Sequence, residues 1–458
     1  AQNIGHFLKA IGYEREMFED VSYQNSSNDM FDDGVDSSEL SVPGLGEFES
    51  EEPWPTLIRD KKGITCTADN MLKAVSRPDM VKVRIAYDEF KDAVLVSHQD
   101  EPMWRPLEDN DYIRVQIELE RRGFASVASE IMRAAIMRTA QINKFDSAIR
   151  WAQSLEWDGV PRVDGFLHSY FGAADTEYTK AVSRYMWSAM AGRCLSPGIK
   201  ADMVPVLIST QGTGKTSSIM ALVPDKKAYL ELDLSTRDDN LARSLRGKLV
   251  AEMAELKGLR SKDADSIKAW LTRQDEEWIP KYKEFSTTFP RRFLCIGTGN
   301  NPEFLDDDTG ERRWLPVKVS DMQDLARVRA DREQLWAEAA VIFEMEGVAW
   351  QDAQRLAVEV HSEFKISDDW DEVVELWLLR DGMDEMTGVS RGAGAIKTRD
   401  VLVSALGFDL KTIGKREEMR VSKILARLGF IKVDGRVEGQ KVKFWKAGAS
   451  CTLNFARS

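Results

Sequence analysis

The sequence predicts an α/β fold in which a mainly parallel sheet carries a phosphate-binding loop, with further domains on either side. Three observations predict it. An apolar run, Val204-Pro205-Val206-Leu207-Ile208, leads directly into Ser209-Thr210-Gln211-Gly212-Thr213-Gly214-Lys215-Thr216. Two more apolar runs, at 249–254 and 293–297, follow at intervals filled by helical periodicity, the alternation expected of parallel strands joined by crossover helices. A chain of 458 residues is too long for one ordinary core and corresponds to about three domains.

The loop has the mechanics of an anion cradle. Glycines let backbone N–H groups close around phosphate oxygens, Lys215 reaches the β- and γ-phosphates, and Thr216 offers a hydroxyl to Mg²⁺. Gln211, Gly212, Thr213, Gly214, Lys215, Thr216 and Ser217 are the expected nucleotide contacts, and the helix predicted from Lys215 to about Leu222 points its N-terminal dipole at the same anion. Ser209 stands where the pattern wants its first glycine, so the turn out of the strand is made without the residue that makes it easiest. The alternative is a glycine-rich turn that binds nothing.

Composition is that of a globular protein, with 43% hydrophobic and 30% charged residues. Cys66, Cys194, Cys295 and Cys451 show no C-x-x-C spacing, so neither a zinc site nor a disulfide framework is expected and a reducing cytoplasm, that of a bacterial host cell, is the simplest location. No membrane span or signal peptide is visible. The chain begins with Ala1, which leaves room for a preceding domain. The net charge of −13 is concentrated: residues 14–52 hold thirteen acids and one base, and read as an acidic disordered linker. Residues 411–446 reverse the balance, with eleven bases against four acids. The acidic average therefore says nothing against a local DNA-binding surface.

Four segments follow. Residues 1–53 are the linker; 54–175 form a mixed α/β and helical region, with a strand at 81–87, helices at 109–122 and 126–143, and the turn Trp157-Asp158-Gly159-Val160-Pro161-Arg162; 176–385 form the nucleotide-binding core; 386–458 form a basic domain. In the core, 176–194, 325–346 and 353–364 have helical periodicity. The stretch 387–394 is glycine-rich and marks a hinge. Beyond it, helices at 398–406 and 415–428 and a hairpin over 430–444, turning near Asp434-Gly435, resemble a winged helix. Arg416, Arg420, Lys423 and Arg427 recur at three- and four-residue spacing and fall on one helical face. With Lys441 and Lys443 on the hairpin they are candidate contacts to duplex phosphates, a solvated basic face being the alternative.

Other residues complete a hydrolytic site. Leu249-Val250-Ala251-Glu252-Met253-Ala254-Glu255 delivers two carboxyl groups about 40 residues after Lys215, where one acid holds Mg²⁺ and another orients the attacking water. Glu255, at the strand exit, is the preferred catalytic residue and Glu252 the supporting one, both being candidate metal ligands; a buried ion pair is the alternative for Glu252. Phe293-Leu294-Cys295-Ile296-Gly297-Thr298 ends at Gly299-Asn300, where the Asn300 amide is placed to meet the γ-phosphate or its water. Arg312 and Arg313 are candidates for an arginine supplied across a subunit boundary, or for pairing with acids on a surface turn. The loop Trp278-Ile279-Pro280-Lys281-Tyr282-Lys283, followed by Pro290-Arg291-Arg292, interleaves rings and cations as a single strand of DNA requires, with Lys281 and Lys283 the named contacts. Packing of Trp278 and Tyr282 into the core is the alternative.

Taken in order, Trp157-Asp158-Gly159-Val160-Pro161-Arg162, Ser196-Pro197-Gly198-Ile199-Lys200, Gln211 to Thr216, Gly247 to Leu256, Gly297-Thr298-Gly299-Asn300 and Thr309-Gly310-Glu311-Arg312-Arg313-Trp314-Leu315-Pro316-Val317 resemble the virulence-associated protein E family. That family comprises P-loop ATPases of phages, plasmids and genomic islands, similar to superfamily 3 helicases of the AAA+ type. The resemblance covers roughly residues 54–380. It implies an AAA+-like core using ATP and Mg²⁺, a homo-oligomeric ring with a hexamer as the expected size, and a primase domain or partner. The leading expectation is thus an ATP-dependent DNA helicase; an origin-binding initiator ATPase that unwinds little, or a nucleotide kinase, are the alternatives.

Overall fold

The computed structural model describes residues 48, 53–210, 212, 214–234, 236, 238–254, 264–279, 286–300, 311–320, 323–361, 369–380, 396–437, 440–448, 451 and 453. Most of the acidic segment 14–52 and all of the glycine-rich stretch 387–394 lie outside them. Two compact units emerge: residues 1–147 with 224–228, and residues 148–223 with 229–458.

The first unit opens with a two-residue pair, β1 (Arg59–Asp60) and β2 (Gly63–Ile64), then α1 (Ala68–Val75) and α2 (Pro78–Val81). Strands β3 (Val83–Asp88), β4 (Ala93–His98) and β5 (Glu101–Pro106) form an antiparallel meander, followed by α3 (Asp109–Arg121), α4 (Ser129–Ile142) and β6 (Lys144–Phe145), giving the sheet order β5-β4-β3-β6. Helix α3 begins where the buried Asp111 carboxylate accepts from the Glu108 backbone N–H, His98 Nε2 and both Arg105 Nη atoms. These bonds hold its pKa down to about 2 against the opposing effect of burial.

The second unit starts with α5 (Ser147–Ser154), whose first residue belongs to the preceding unit, then α6 (Phe166–Phe171) and α7 (Glu177–Leu195). The division falls upstream of residue 175 because α6 packs on α7, where Phe166 meets Trp187 edge-on at 5.1 Å. Helix α7 is apolar on most sides and buried accordingly. The Tyr185 hydroxyl donates to Met203 O at 2.8 Å and so fixes α7 on the entry to the next strand.

That strand is β7 (Val204–Ile208), buried throughout, followed by α8 (Lys215–Met220), β8 (Tyr229–Glu231), α9 (Asp238–Ser244), β9 (Val250–Met253) and α10 (Ala264–Leu271). A hairpin, β10 (Asp275–Trp278) with β11 (Thr287–Pro290), precedes β12 (Leu294–Gly299) and β13 (Trp314–Lys318). The sheet order is β13-β7-β12-β9-β8 and every pairing is parallel. Continuous apolar runs suit strands buried on both faces. Pro205 sits in a central strand without breaking its ladder, since β12 joins β7 only from Val206 onward, and Pro316 lies on the edge strand β13. Helix α11 (Leu325–Glu346) then packs on α7, with Trp336 Nε1 donating to Leu222 O at 2.7 Å, and α12 (Gln351–Val360) packs on α7 and β13.

A separate core gathers α13 (Asp371–Leu379), α14 (Thr398–Ser404), α15 (Lys415–Arg427) and the antiparallel strands β14 (Phe430–Val437) and β15 (Gln440–Ala447). Helix α13, upstream of residue 386, shares this core through Val374, Trp377 and Leu378. Ile396 bridges to Trp445 as a third, one-residue strand. The hairpin does not turn at Asp434-Gly435. Both residues are paired within the ladder, opposite Lys443 and Val442, and the connection lies between Val437 and Gln440. Turning earlier would leave the backbone groups of 435–437 unpaired, and this outweighs the local Asp-Gly preference.

Gly172 ends α6 at φ +63°, and a Cβ there would lie 2.5 Å from Ser320 Cβ, just after β13. Gly172→Ala is therefore expected to lower unfolding free energy by about 2 kcal/mol or more in urea titrations. Gly212→Ala has an equally left-handed backbone but meets nothing within 4 Å, so it should cost only about 1–2 kcal/mol. Equal losses at the two positions would show that the contact with Ser320 is unimportant.

Candidate nucleotide site

Strand order assembles the site. Because β12 lies between β7 and β9, the C-terminal ends of the strands carrying the loop, Asn300 and Glu252 are neighbours. Register aligns Ile208 with Gly299 and Glu252 with Ile296, and Ser209 N donates to Gly299 O at 3.3 Å, carrying the ladder one residue into the loop. Ser209 is not among the described residues with positive φ, so the chain leaves the strand without the left-handed turn a glycine would allow. Left-handed conformations come later, at Gly212 and Gly214, both at φ +83°. Gly212, Gly214, Thr216 and Ser217 are exposed; Gln211 and Thr213 lie outside the described residues.

The Lys215 ammonium folds into the loop, donating to Ser209 O at 3.1 Å, Ser209 Oγ at 2.9 Å and Thr210 O at 2.8 Å. These are oxygen acceptors in the position where a bound phosphate would supply its own. Thr216 Oγ1 donates to Glu252 Oε1 at 3.0 Å. Glu252 is fully buried in β9 and also accepts from Thr298 Oγ1 at 2.7 Å and, on its other oxygen, from the Tyr229 hydroxyl at 2.5 Å. Among the described residues it has no cationic partner, so three hydroxyls replace the buried ion pair considered from sequence. Burial, then the bond to Glu252, pushes the Tyr229 phenol well above its ordinary range. A hydroxyl beside one carboxyl, at the mouth of a glycine-lined loop, fits Mg²⁺, which commonly takes one or two protein oxygens and completes its shell with phosphates and water. Thr216 and Glu252 supply that pair; Glu255 lies outside the described residues.

Asn300 is exposed, one residue beyond Gly299 and beside the start of the loop. The arginines stand elsewhere. Arg312 and Arg313 immediately precede β13, whose Trp314 aligns with Val204, so they occupy the opposite end of the sheet from the loop. Five residues of strand place them about 17 Å from it. Arg313 is mostly buried with Nε 3.6 Å from Asp202, whereas Arg312 is exposed.

The aromatic and basic segment proves largely structural where described. Trp278 is buried and stacks on Phe289 across the hairpin at 4.5 Å, as in the core-packing alternative. Arg291 and Arg292 do not face solvent. Arg291 Nε donates to Glu276 at 2.6 Å with its guanidinium over the Trp270 ring, and Arg292 donates to Cys194 O at 3.1 Å. The Glu276 carboxylate and the Cys194 carbonyl give these buried cations acceptors in place of water. Lys281, Tyr282 and Lys283 lie outside the described residues.

On α15, Arg416 and Lys423 are exposed, as is Lys443 on β15; Lys441 stands opposite Arg436. Arg420 and Arg427 of the basic face are engaged within the domain. Arg420 lies over the Trp370 ring, 3.8 Å from its centre, and Arg427 pairs with Asp371. The pairing follows from helix geometry: Arg420 borders the buried Val421 and Ile424 stripe and is drawn toward α13.

Residues 152–366 match the family described as the virulence-associated protein E-like domain. No curated protein matches the chain. Among solved structures, the apo structure of the NrS-1 C terminal region is similar at 11% identity, covering 85% of this chain and 100% of that one, with a TM-score of 0.49. The JCV helicase is 11% identical over 59% of this chain and 87% of its own, at 0.24. The complex of magnesium chelatase subunits BchI and BchD gives 16% identity over 53% and 92%, also at 0.24. At these TM-scores the likenesses carry no argument about function. No helix among the described residues is long and apolar enough to cross a membrane.

Tyr229 and Thr298 escape sequence reasoning. Thr298 sits inside a quoted motif but with no sign that its hydroxyl meets Glu252, and Tyr229 lies on a three-residue edge strand without periodicity. Tyr229→Phe and Thr298→Val each remove one donor from a buried carboxyl group and should lower stability by about 1–3 kcal/mol in thermal or urea denaturation. Losses below about 0.5 kcal/mol for both would mean that the carboxyl group does not depend on them.

Proposed function

We propose that the chain is an ATP-dependent DNA helicase serving replication of a phage, plasmid or genomic island. The observation that supports it most is the convergence of Thr216, Thr298 and Glu252 beside the Lys215 loop, at one end of a parallel sheet. In this reading the core is a P-loop, AAA+-like ATPase and the α13–β15 module is a winged helix.

Lys215 leaves the carbonyls of Ser209 and Thr210 for the β- and γ-phosphates, where its charge has stronger partners. Gly212 and Gly214 keep the loop free of Cβ atoms that would hold phosphate oxygens away. Thr216 and Glu252 would hold Mg²⁺, which when bound neutralises phosphate charge. Glu252, bonded by hydroxyls on both oxygens, is a fixed ligand; Glu255 orients the water and Asn300 holds it or the γ-phosphate. Arg312 cannot reach the loop of its own subunit across the sheet. Supplied to a neighbour in a ring, it stabilises charge in the transition state, while Arg313 is retained by Asp202.

In the same reading Lys281 and Lys283 meet a single strand within the ring, and Arg416, Lys423, Lys441 and Lys443 meet duplex phosphates, Arg420 contributing from its place on Trp370.

Lys215→Ala and Arg312→Ala should each lower ATP turnover by about 10²-fold or more. Mixed in one oligomer they should recover part of it, because an intact loop then faces an intact arginine. No recovery in oligomers shown to contain both variants would contradict a finger from a neighbour. Neutralising Arg416, Lys423 and Lys443 should weaken duplex binding and flatten its salt dependence by about 2–3 in log–log slope. Lys281→Ala with Lys283→Ala should instead slow strand displacement and leave that slope in place. An unchanged slope after the first set would assign the module to packing or assembly.

A further inference from the structure

We propose that Gln323 reads the base of the bound nucleotide and makes the site selective for adenine. The inference rests on the nucleotide-site reading above and extends it to the nucleoside end. Glu252 and Asn300 lie on the β12 side of β7, so a triphosphate held by Lys215 and Thr216 has its γ end on that side. Its nucleoside end then projects the other way, over the end of β13. Beyond the end of β13, Ser320 N donates to Phe171 O at 2.8 Å and Asp324 N to Tyr170 O at 3.0 Å, which holds the described residues around Gln323 in place.

Among the described residues after β13, Gln323 places a polar side chain against the loop and the helix that follows it. Its Oε1 accepts from Ser218 Oγ at 3.3 Å, and a Cβ placed on Gly214 would lie 3.9 Å from the same oxygen. Its Nε2 donates to Ser320 O at 2.7 Å. These two bonds fix the plane of the amide and consume one lone pair and one proton. One acceptor site and one N–H remain. An adenine edge offers one donor, the N6 amino group, and one acceptor, N7, the complement of that remainder; guanine presents O6 and N7, two acceptors, and sets one of them against the amide oxygen. The side chain is half-buried, so a mismatched base loses bonds that water does not fully replace.

Turnover and binding of ATP and GTP by the full chain test the assignment. Wild type should favour ATP, and Gln323→Leu and Gln323→Met should each cut the ATP-to-GTP ratio of kcat/KM by roughly tenfold, through KM and not kcat. Ser218→Ala, which loosens the amide without removing it, should give a smaller change in the same direction. Thermal melts establish that the variants are folded, and calorimetric titration with ATP and GTP gives the ratio independently of hydrolysis. An unchanged ratio, equal weakening of both nucleotides, or a wild type without preference would overturn the role of Gln323 while the nucleotide site stands. A wild type that binds neither would overturn the nucleotide reading itself, and this proposal with it.

Discussion

A carboxyl group inside a parallel sheet needs donors, and the organisation of this domain can be followed from how Glu252 obtains them. Its strand is buried on both faces, where an unsatisfied polar group costs several kcal/mol. Thr298 reaches it from β12 on one side, Tyr229 from β8 on the other, and Thr216 from the first turn of α8. The bond that satisfies the acid thus also draws the helix after the loop onto the sheet. Packing and site assembly are here the same set of contacts.

The two ends of the sheet are built for different purposes. At the C-terminal end the backbone opens, with left-handed glycines and exposed hydroxyls around Lys215. At the N-terminal end it closes: Tyr185 bonds both backbone groups of Met203, and Asp202 holds Arg313. Arg312 remains exposed beside this closed end. In the proposed reading Arg312 serves a site on another molecule and not its own, which ties that reading to assembly. Edge-on contacts of Trp187 with Phe166 and Trp336 join α6, α7 and α11, and Gln323 lies just before the start of α11.

Much of this was legible because the relevant signals are local. The apolar run at 204–208, the glycines after it and the periodicity of 325–346 fix an element without reference to partners, and the structure has β7 and α11 at those bounds. Signals that depend on the fold were not legible. Arg291 and Arg292 resemble any other basic pair until Glu276 is placed across the hairpin and Cys194 O beneath it. Asp434-Gly435 carries a turn preference that only the length of the β14–β15 ladder overrides. Tyr229, Thr298 and Gln323 acquire meaning from the strand order, which no spacing along the chain encodes.

The most direct measurement of the central claim is ATP hydrolysis by the full chain with Mg²⁺, in the presence and absence of single-stranded DNA. The account predicts turnover that requires Mg²⁺ and rises when single-stranded DNA is added, since the proposed motor couples the loop to its grip on a strand. Hydrolysis indifferent to DNA, or phosphate transfer from ATP to another nucleotide in its place, would contradict it.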